Sequence, residues 1–279
     1  MNLFNKYARN LADQIAEELT FYKFKVDTFS LKDEHKTNVK TGYDIAISLG
    51  GDGTVLSAAR AMSPMGVPVF PVNLGTFGFI AGIEPEEWRK VFEQWLDGKA
   101  PISMRLMLEM TVEREGKEIY SGCGLNDVVV SALGIAKVIN LLVYYSAPGR
   151  REVMKLGRYR SDGLIVSTPT GSTAYSAAAG GPIMDPELDA LVINPICAFT
   201  LSNRPIVLPA YETILVEVEE EQRSGVLLTV DGQVTEKLKS GDRVFLKKAP
   251  HHCLLVASGR TDFYETLRTK LGWAGGGKP

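Results

Sequence analysis

Tyr43-Asp44-Ile45-Ala46-Ile47-Ser48-Leu49-Gly50-Gly51-Asp52-Gly53-Thr54 is a short apolar run that ends in a cluster of glycines. An apolar run of this length closed by glycine reads as a buried parallel strand, and the stretch after it, Thr54 to Met62, reads as a helix. Val67 to Val72 is the next strand, so the order is strand, turn, helix, strand. That order predicts an α/β N-terminal lobe, Rossmann-like and three-layered. Upstream, Asn10 to Leu19 places Leu11, Ile15 and Leu19 at helical spacing and reads as a packing helix. Downstream, Pro85 to Leu96 predicts another helix, with an acidic first turn and a stop at Gly98.

Beyond Lys99-Ala100-Pro101 the texture changes to short β-rich runs parted by Gly, Pro and charged turns. Leu106 to Glu113, Val128 to Ser131, Ile139 to Tyr145, Gly163 to Thr168, Ile214 to Val218, Val226 to Val230 and Val244 to Lys247 are such runs. They predict a β-rich C-terminal lobe, sandwich-like and largely antiparallel. Glu115-Gly116-Lys117 is placed to make a hairpin tip, with Gly116 free to take positive φ. Asp262 to Leu271 is helical again, with Phe263, Leu267 and Leu271 on one face, and is expected to pack back on the first lobe. The glycine-rich tail from Gly275 is expected to fray. The division is then residues 1–100 with about 260–279 as one domain, and 101–259 as the other. A chain of 279 residues that is 45% hydrophobic has enough apolar matter for two cores.

Composition removes several function classes. A net charge of -2 with scattered cations gives no basic field for a nucleic-acid backbone. No apolar run approaches the roughly 20 residues that cross a bilayer, and the opening residues lack a signal peptide's apolar core, so a cytoplasmic protein is expected, without nucleic acid or membrane as partner. Cys123, Cys197 and Cys253 are few and widely spaced, which predicts free, mostly buried thiols. His251-His252-Cys253 offers no metal site, because neighbours on a strand point to opposite faces. His35 reads as a solvated loop residue, which leaves the chemistry to carboxylates, hydroxyls and backbone amides.

The glycines of Gly50 to Thr54 remove the Cβ atoms that block close backbone approach, beside a helix N-terminus that favours anions. Such a turn suits phosphate. A carboxylate beside phosphate is repulsive, so Asp52 implies a further use, as acceptor for an attacking hydroxyl. The alternative is a tight turn in which Asp52 caps the helix. A second constellation is Asp162 to Tyr175, followed by Gly180-Gly181-Pro182. There a strand enters a turn rich in hydroxyls, including Thr170 and Thr173, which reads as a place for a sugar and a base, with Asp162 accepting and Tyr175 giving an aromatic face. Its alternative is a Ser/Thr-capped helix without ligand. Asn73 to Phe79 follows a strand end where open α/β sheets place ligands, and Asn126-Asp127 precedes an apolar run. Both also fit simple loop capping.

Together these segments resemble the NAD kinase family, from about Tyr43 to the final helix. Gly50 to Thr54 is similar to its GGDGT motif, shared with diacylglycerol and sphingosine kinases and in variant form with phosphofructokinases. Asp162 to Tyr175 with Gly180-Gly181-Pro182 is the more specific likeness, and Leu125-Asn126-Asp127, Asn73 to Phe79, Leu201 to Pro205 and Asp231-Gly232-Gln233 follow in the family's order. The resemblance implies transfer of a phosphoryl group from ATP or polyphosphate to the adenosine-ribose 2′-hydroxyl of NAD. Asp52 is then the catalytic carboxylate, with Gly51, Gly53 and Thr54 at phosphates, and Asn73, Gly75 and Phe77 beside the nucleotide. Asn126, Asp127, Arg160, Asp162, Thr170, Thr173, Ala174, Tyr175, Ala178, Asp231 and Gln233 complete the implied nucleotide site, partly across a subunit interface. It also implies a homodimer or homotetramer built through the β-rich lobes, and a divalent cation, magnesium, carried by substrate phosphates rather than by protein ligands.

Three departures stand out. Relatives usually open with a strand that almost nothing here precedes Asn5 to supply; they often have serine at Ala178; and they commonly have Pro-His at Ala198-Phe199. An ordinary carboxylate is too weakly basic to strip a ribose hydroxyl outright, so Asp52 is expected to orient the nucleophile and take its proton late. A lipid or sugar kinase would leave the hydroxyl-rich run without a use. A silent NAD-binding module would bind NAD and make no NADP. An oxidoreductase is disfavoured by the missing GxGxxG loop.

Overall fold

The computed structural model describes residues 6–29, 41–75, 78–147, 153–200, 202–259 and 263–272. Two compact units divide the chain, residues 1–104 with 253–279, and residues 105–252. His35, Phe77, Leu201 and the glycine tail lie outside the described residues.

The first unit opens with α1 (Lys6–Phe21), then β1 (Ala46–Gly50), α2 (Asp52–Met62), β2 (Val69–Asn73) and α3 (Trp88–Leu96). β1 and β2 pair in parallel, from Ala46 opposite Val69 to Gly50 opposite Asn73. Leu49, Phe70 and Val72 on one face of that pair meet Leu11, Ile15 and Leu19 of α1 and Trp88, Val91 and Phe92 of α3. α2 also packs on β1 and β2, yet its buried Val55, Leu56 and Ala59 lie outside that cluster, so it covers the opposite face. Three layers result, as the α/β order requires. α3 begins later than Pro85 because Glu84 to Glu87 first closes a turn, Glu87 N donating to Glu84 O at 2.9 Å.

In chain order, β3 (Ile102–Arg114), β4 (Lys117–Gly124), β5 (Asp127–Ala132), β6 (Ile139–Ser146), β7 (Met154–Ser161) and β8 (Gly163–Ser167) follow. A 3-10 turn at Thr170–Thr173 and the short α4 (Tyr175–Ala178) come next. Then come β9 (Ala190–Ile196), β10 (Ile206–Pro209), β11 (Thr213–Val218), β12 (Val226–Val230), β13 (Val234–Leu238), β14 (Arg243–Val256) and α5 (Phe263–Leu271). β14 starts in the second unit and ends in the first, where Leu255 pairs in parallel with Val69. α5 belongs to the first unit, as expected of the returning helix.

The second unit is mostly strand. β10-β9-β8-β5-β12-β13 form one antiparallel sheet, and β14-β11-β6-β7 with β3 and β4 form the other. Alternate residues of both, among them Met110, Leu141 and Ile214 from one and Val130, Leu164 and Ile193 from the other, share a single core. That is the arrangement of a sandwich, each strand sending every second residue inward. At the β3–β4 tip Glu115 and Gly116 both take positive φ, 52° and 75°, as a tight hairpin turn demands.

Four strands were not foreseen. β7 and β13 are sheet edges whose alternating Lys, Arg, Glu and Thr give no apolar run. β9 carries Asn194 and Pro195, and β10 has only four residues. Among the described residues no disulfide joins the thiols, but only Cys253 is buried; Cys197 is exposed and Cys123 intermediate, so the expectation of mostly buried thiols is corrected. Among the described residues no helix is long and apolar enough to cross a membrane.

Candidate active site

In the first unit the chain leaves β1 at Gly50 and enters α2 at once. A Cβ on Gly50 would lie 2.2 Å from Thr54 Oγ1, so no larger residue fits the turn as built. Gly51 is the N-cap and no side chain caps the helix. The Asp52 carboxylate instead reaches the segment beyond β2: Oδ2 accepts from Phe79 N at 2.7 Å, and Oδ1 accepts from Ile80 N at 3.1 Å and Ala81 N at 3.0 Å. Helix capping is therefore not what this residue does. A carboxylate has about four acceptor positions, so one remains on Oδ2 for a further donor.

The segment that meets Asp52 is itself tied to β2. Asn73 N donates to Ile83 O at 2.8 Å and Ile83 N donates to Pro71 O at 3.2 Å, which lays residues 78–83 along the strand end. Gly78 is needed for the approach, since a Cβ there would come 2.6 Å from Asp52 Oδ1. Lys270 of α5 donates to Gly78 O. Asn73 is buried and turns its Oδ1 to Gly75 N at 3.0 Å, a loop-shaping role. The amides of Phe79 to Ala81 were missed in the sequence, where Gly78 was the available signal.

In the second unit Leu125-Asn126-Asp127 lies against Thr168 to Thr173. Thr168 N donates to Asn126 O at 2.9 Å, Thr168 Oγ1 donates to Leu125 O at 2.5 Å, and Ser167 Oγ donates to Asn126 O at 3.2 Å. Ser172 Oγ donates to Pro169 O at 2.7 Å and accepts from Met184 N at 3.0 Å. Thr173 Oγ1 donates to Thr170 O at 3.3 Å. Much of the hydroxyl-rich run thus builds the turn itself. Two oxygens differ: Asn126 Oδ1 and Thr170 Oγ1 are buried and, among the described residues, have no hydrogen-bond partner. Leaving such atoms unpaired costs about 1–3 kcal/mol each, which a bound ligand's polar groups would offset.

The Asp231 carboxylate accepts from Leu125 N at 3.1 Å, Asn126 N at 2.7 Å and Asp127 N at 3.3 Å. Asp231 and Gly232 take φ of 50° and 68°, and Gln233 N closes their turn on Val230 O at 2.9 Å. Gln233 is exposed there. Asp127 is 4% exposed, and its carboxyl is pushed up to about 7, first by burial and then by the charge of Asp231. Below pH 3.8 folded and unfolded chains both hold this proton; as pH rises toward 7 the unfolded chain releases it first, so stability falls through that window and levels off above it. Asp127→Asn abolishes that component. We expect its Tm to exceed that of the wild type at pH 8, and the gap to shrink by a few degrees at pH 5, read by calorimetry.

The remaining positions do not all converge. Ala174 is partly exposed, and Tyr175 and Ala178 are exposed on α4, next to the 3-10 turn. Asp162 is different. It precedes β8, whose end carries Thr168, and an extended chain of that length spans about 20 Å. Within one chain Asp162 and the Thr170 to Tyr175 turn therefore stand at opposite ends of β8. Arg160 shares the Asp162 end, its guanidinium 4.5 Å over the ring of Phe199, one of the positions that depart from the family pattern.

The profile of the ATP-NAD kinase N-terminal domain matches residues 5–100, and that of the ATP-NAD kinase C-terminal domain matches residues 125–258. An NAD kinase of Treponema denticola is 43% identical over 264 residues, covering 95% of this chain and 89% of that one. The chain belongs to the NAD kinase family. An NAD kinase of Geobacter sulfurreducens is 44% identical over 230 residues, 82% of this chain and 78% of that one. Yeast NADH kinase complexed with NADH superposes with a TM-score of 0.76 at 28% identity, over 83% of this chain and 67% of that one. The Archaeoglobus fulgidus NAD kinase in complex with ATP has the same fold, with a TM-score of 0.70 at 23% identity over 94% and 93% of the two chains. NAD kinase activity goes with this membership, and the chain is an enzyme of phosphoryl transfer. Both units carry family sequence, so the GGDGT turn and the Asn126-Asp127 segment belong to NAD kinase architecture, not to a lipid kinase or an oxidoreductase.

Proposed function

We propose that the chain moves the terminal phosphoryl group of ATP or polyphosphate onto the adenosine-ribose 2′-hydroxyl of NAD, with Asp52 orienting that hydroxyl. The observation that carries this reading is the Asp52 carboxylate, fixed by three amides with one acceptor position left over. A loose phosphoryl-transfer transition state needs position and charge compensation more than covalent help. Asp52 supplies position and takes the proton late, while Gly51, Gly53 and Thr54 give the phosphates a turn free of bulk. Magnesium enters as part of the nucleotide substrate, held by its phosphates.

Asn126, Asp127 and Thr170 take the dinucleotide, a reading supported by the two unpaired buried oxygens among them. Thr173, Ala174, Tyr175 and Ala178 flank it, and Phe77 and Asn73 stand beside the nucleotide. Arg160 and Asp162 serve a neighbouring subunit's nucleotide in a homodimer or homotetramer, which accounts for their distance from Thr168 within one chain. A cytoplasmic enzyme is the setting this chemistry suits.

The test is incubation of purified protein with NAD, magnesium and either ATP, another triphosphate or polyphosphate, reading NADP through an NADP-specific dehydrogenase. NADP formed with ATP or polyphosphate is the expected result. NAD binding by calorimetry with no NADP from any donor would overturn it in favour of a silent binding module.

A further inference from the structure

Two aspartates converge on the Leu125 to Asp127 segment, and their surroundings are opposite. Asp231 accepts from three successive amides, and its own N donates back to Asp127 O at 2.9 Å. Asp127 is 4% exposed, and among the described residues no hydrogen-bond donor reaches its carboxyl. Its neighbours supply no compensating charge. Residues 163–174 of β8 and the 3-10 turn, and Val226 to Val230 of β12, contain no titratable side chain. On β4 the one such group near this end is the Cys123 thiol, followed by Gly124, where a Cβ would sit 3.0 Å from Asp231 Oδ1. The charge acting on Asp127 is that of Asp231.

We propose that Asp231 is a positioning residue rather than a substrate ligand: it fixes the Leu125 to Asp127 backbone and keeps the negative charge of the pair, leaving Asp127 to meet NAD as a neutral carboxyl that donates a hydrogen bond. The proposal rests on the reading of this segment as the NAD site. Two neighbouring carboxylates do not both hold full charge without cost; three amide N–H groups offset a charge on Asp231, and no donor offsets one on Asp127. The proton then stays on Asp127, whose carboxyl stands at about 7. A protonated carboxyl has an O–H to give to a base nitrogen or an amide oxygen. A carboxylate in the same place would face a substrate that carries two phosphate charges.

NAD affinity is therefore coupled to pH. Calorimetric titration of the full chain with NAD should show Kd weakening on the order of tenfold from pH 6 to pH 8, as a group titrating near 7 loses its proton. Asp127→Asn keeps a donor that does not titrate, and its Kd should stay flat over that range. Asp231→Asn removes the charge and keeps one acceptor atom; its Kd should rise at every pH and the midpoint of the pH response should move to lower pH. A wild type as flat as Asp127→Asn would overturn the coupling, and an Asp231→Asn variant whose Kd rises by one factor at all pH values would reduce Asp231 to structure alone. If Asp231→Asn does not fold, the wild type against Asp127→Asn decides. Should Asp127→Ala, which keeps neither donor nor acceptor, bind NAD as the wild type does at every pH, the segment is not the NAD site, and it is that underlying reading that fails.

Discussion

Asp52→Asn is expected to lower turnover by about 10²–10⁴-fold while the Kd for NAD stays close to the wild-type value. The asparagine keeps one carbonyl oxygen, which can go on accepting from Ile80 N and Ala81 N as Oδ1 does now. Its amide nitrogen replaces Oδ2, where it faces the Phe79 N–H donor to donor and has nothing to offer an attacking hydroxyl. The variant thus loses both the free acceptor position and one tether of the 79–81 segment. The Asn126 to Thr173 region is in the other unit and is untouched, which is why binding survives. Steady-state kinetics with calorimetry measures both quantities; a kcat within a few-fold of the wild type would exclude Asp52 from the chemistry.

Gly171→Ala is expected to lose NAD binding together with about 3 kcal/mol of stability. A Cβ at residue 171 would lie 2.1 Å from Asn126 O, 2.5 Å from Asn126 C and 2.6 Å from Ser167 Oγ. Two of those atoms are backbone, and that backbone is held by Thr168 N, Ser167 Oγ and Asp231. The strain cannot be relieved by a side-chain rotation, so the Asn126 peptide must move and take its unpaired Oδ1 with it. A fall in Tm of about 6–12 °C is the thermal equivalent. Gly51→Ala is the contrast, because a Cβ there meets nothing within 4 Å, and its Tm should be near wild type. Unchanged melting and unchanged NAD affinity in Gly171→Ala would mean that the 126–171 contact is not as close as described.

What the sequence made legible follows from how local each signal is. The Tyr43 to Leu49 run and its glycines announce a strand and a turn without any tertiary knowledge, and β1 and α2 stand there. The hairpin at Glu115-Gly116-Lys117 was readable for the same reason, since glycine takes positive φ freely, as Gly116 does; the positive φ of Glu115 was not foreseen. β7 and β13 were not, because an edge strand with polar alternation resembles a loop until its partner is known. The roles of Asp52 and Asp231 were half legible. Asp52 was marked by the glycines around it and Asp231 only by the family resemblance, but each carboxylate binds amides far along the chain, at 79–81 and 125–127, and nothing in a linear reading couples those segments. The distance of Asp162 from the hydroxyl-rich turn was hidden for the same reason: neighbours of that turn in sequence, it and Arg160 are carried to the opposite strand end by β8.

A crystal structure of the chain with NAD bound tests the central claim most directly. The account predicts the adenosine-ribose 2′-oxygen within about 3.2 Å of Asp52 Oδ2, the hydrogen-bond reach of an oriented nucleophile, with Phe79 N still donating to the same carboxylate. NAD seated with that oxygen far from residue 52, and the Asp52 carboxylate turned only to the 79–81 amides, would contradict it.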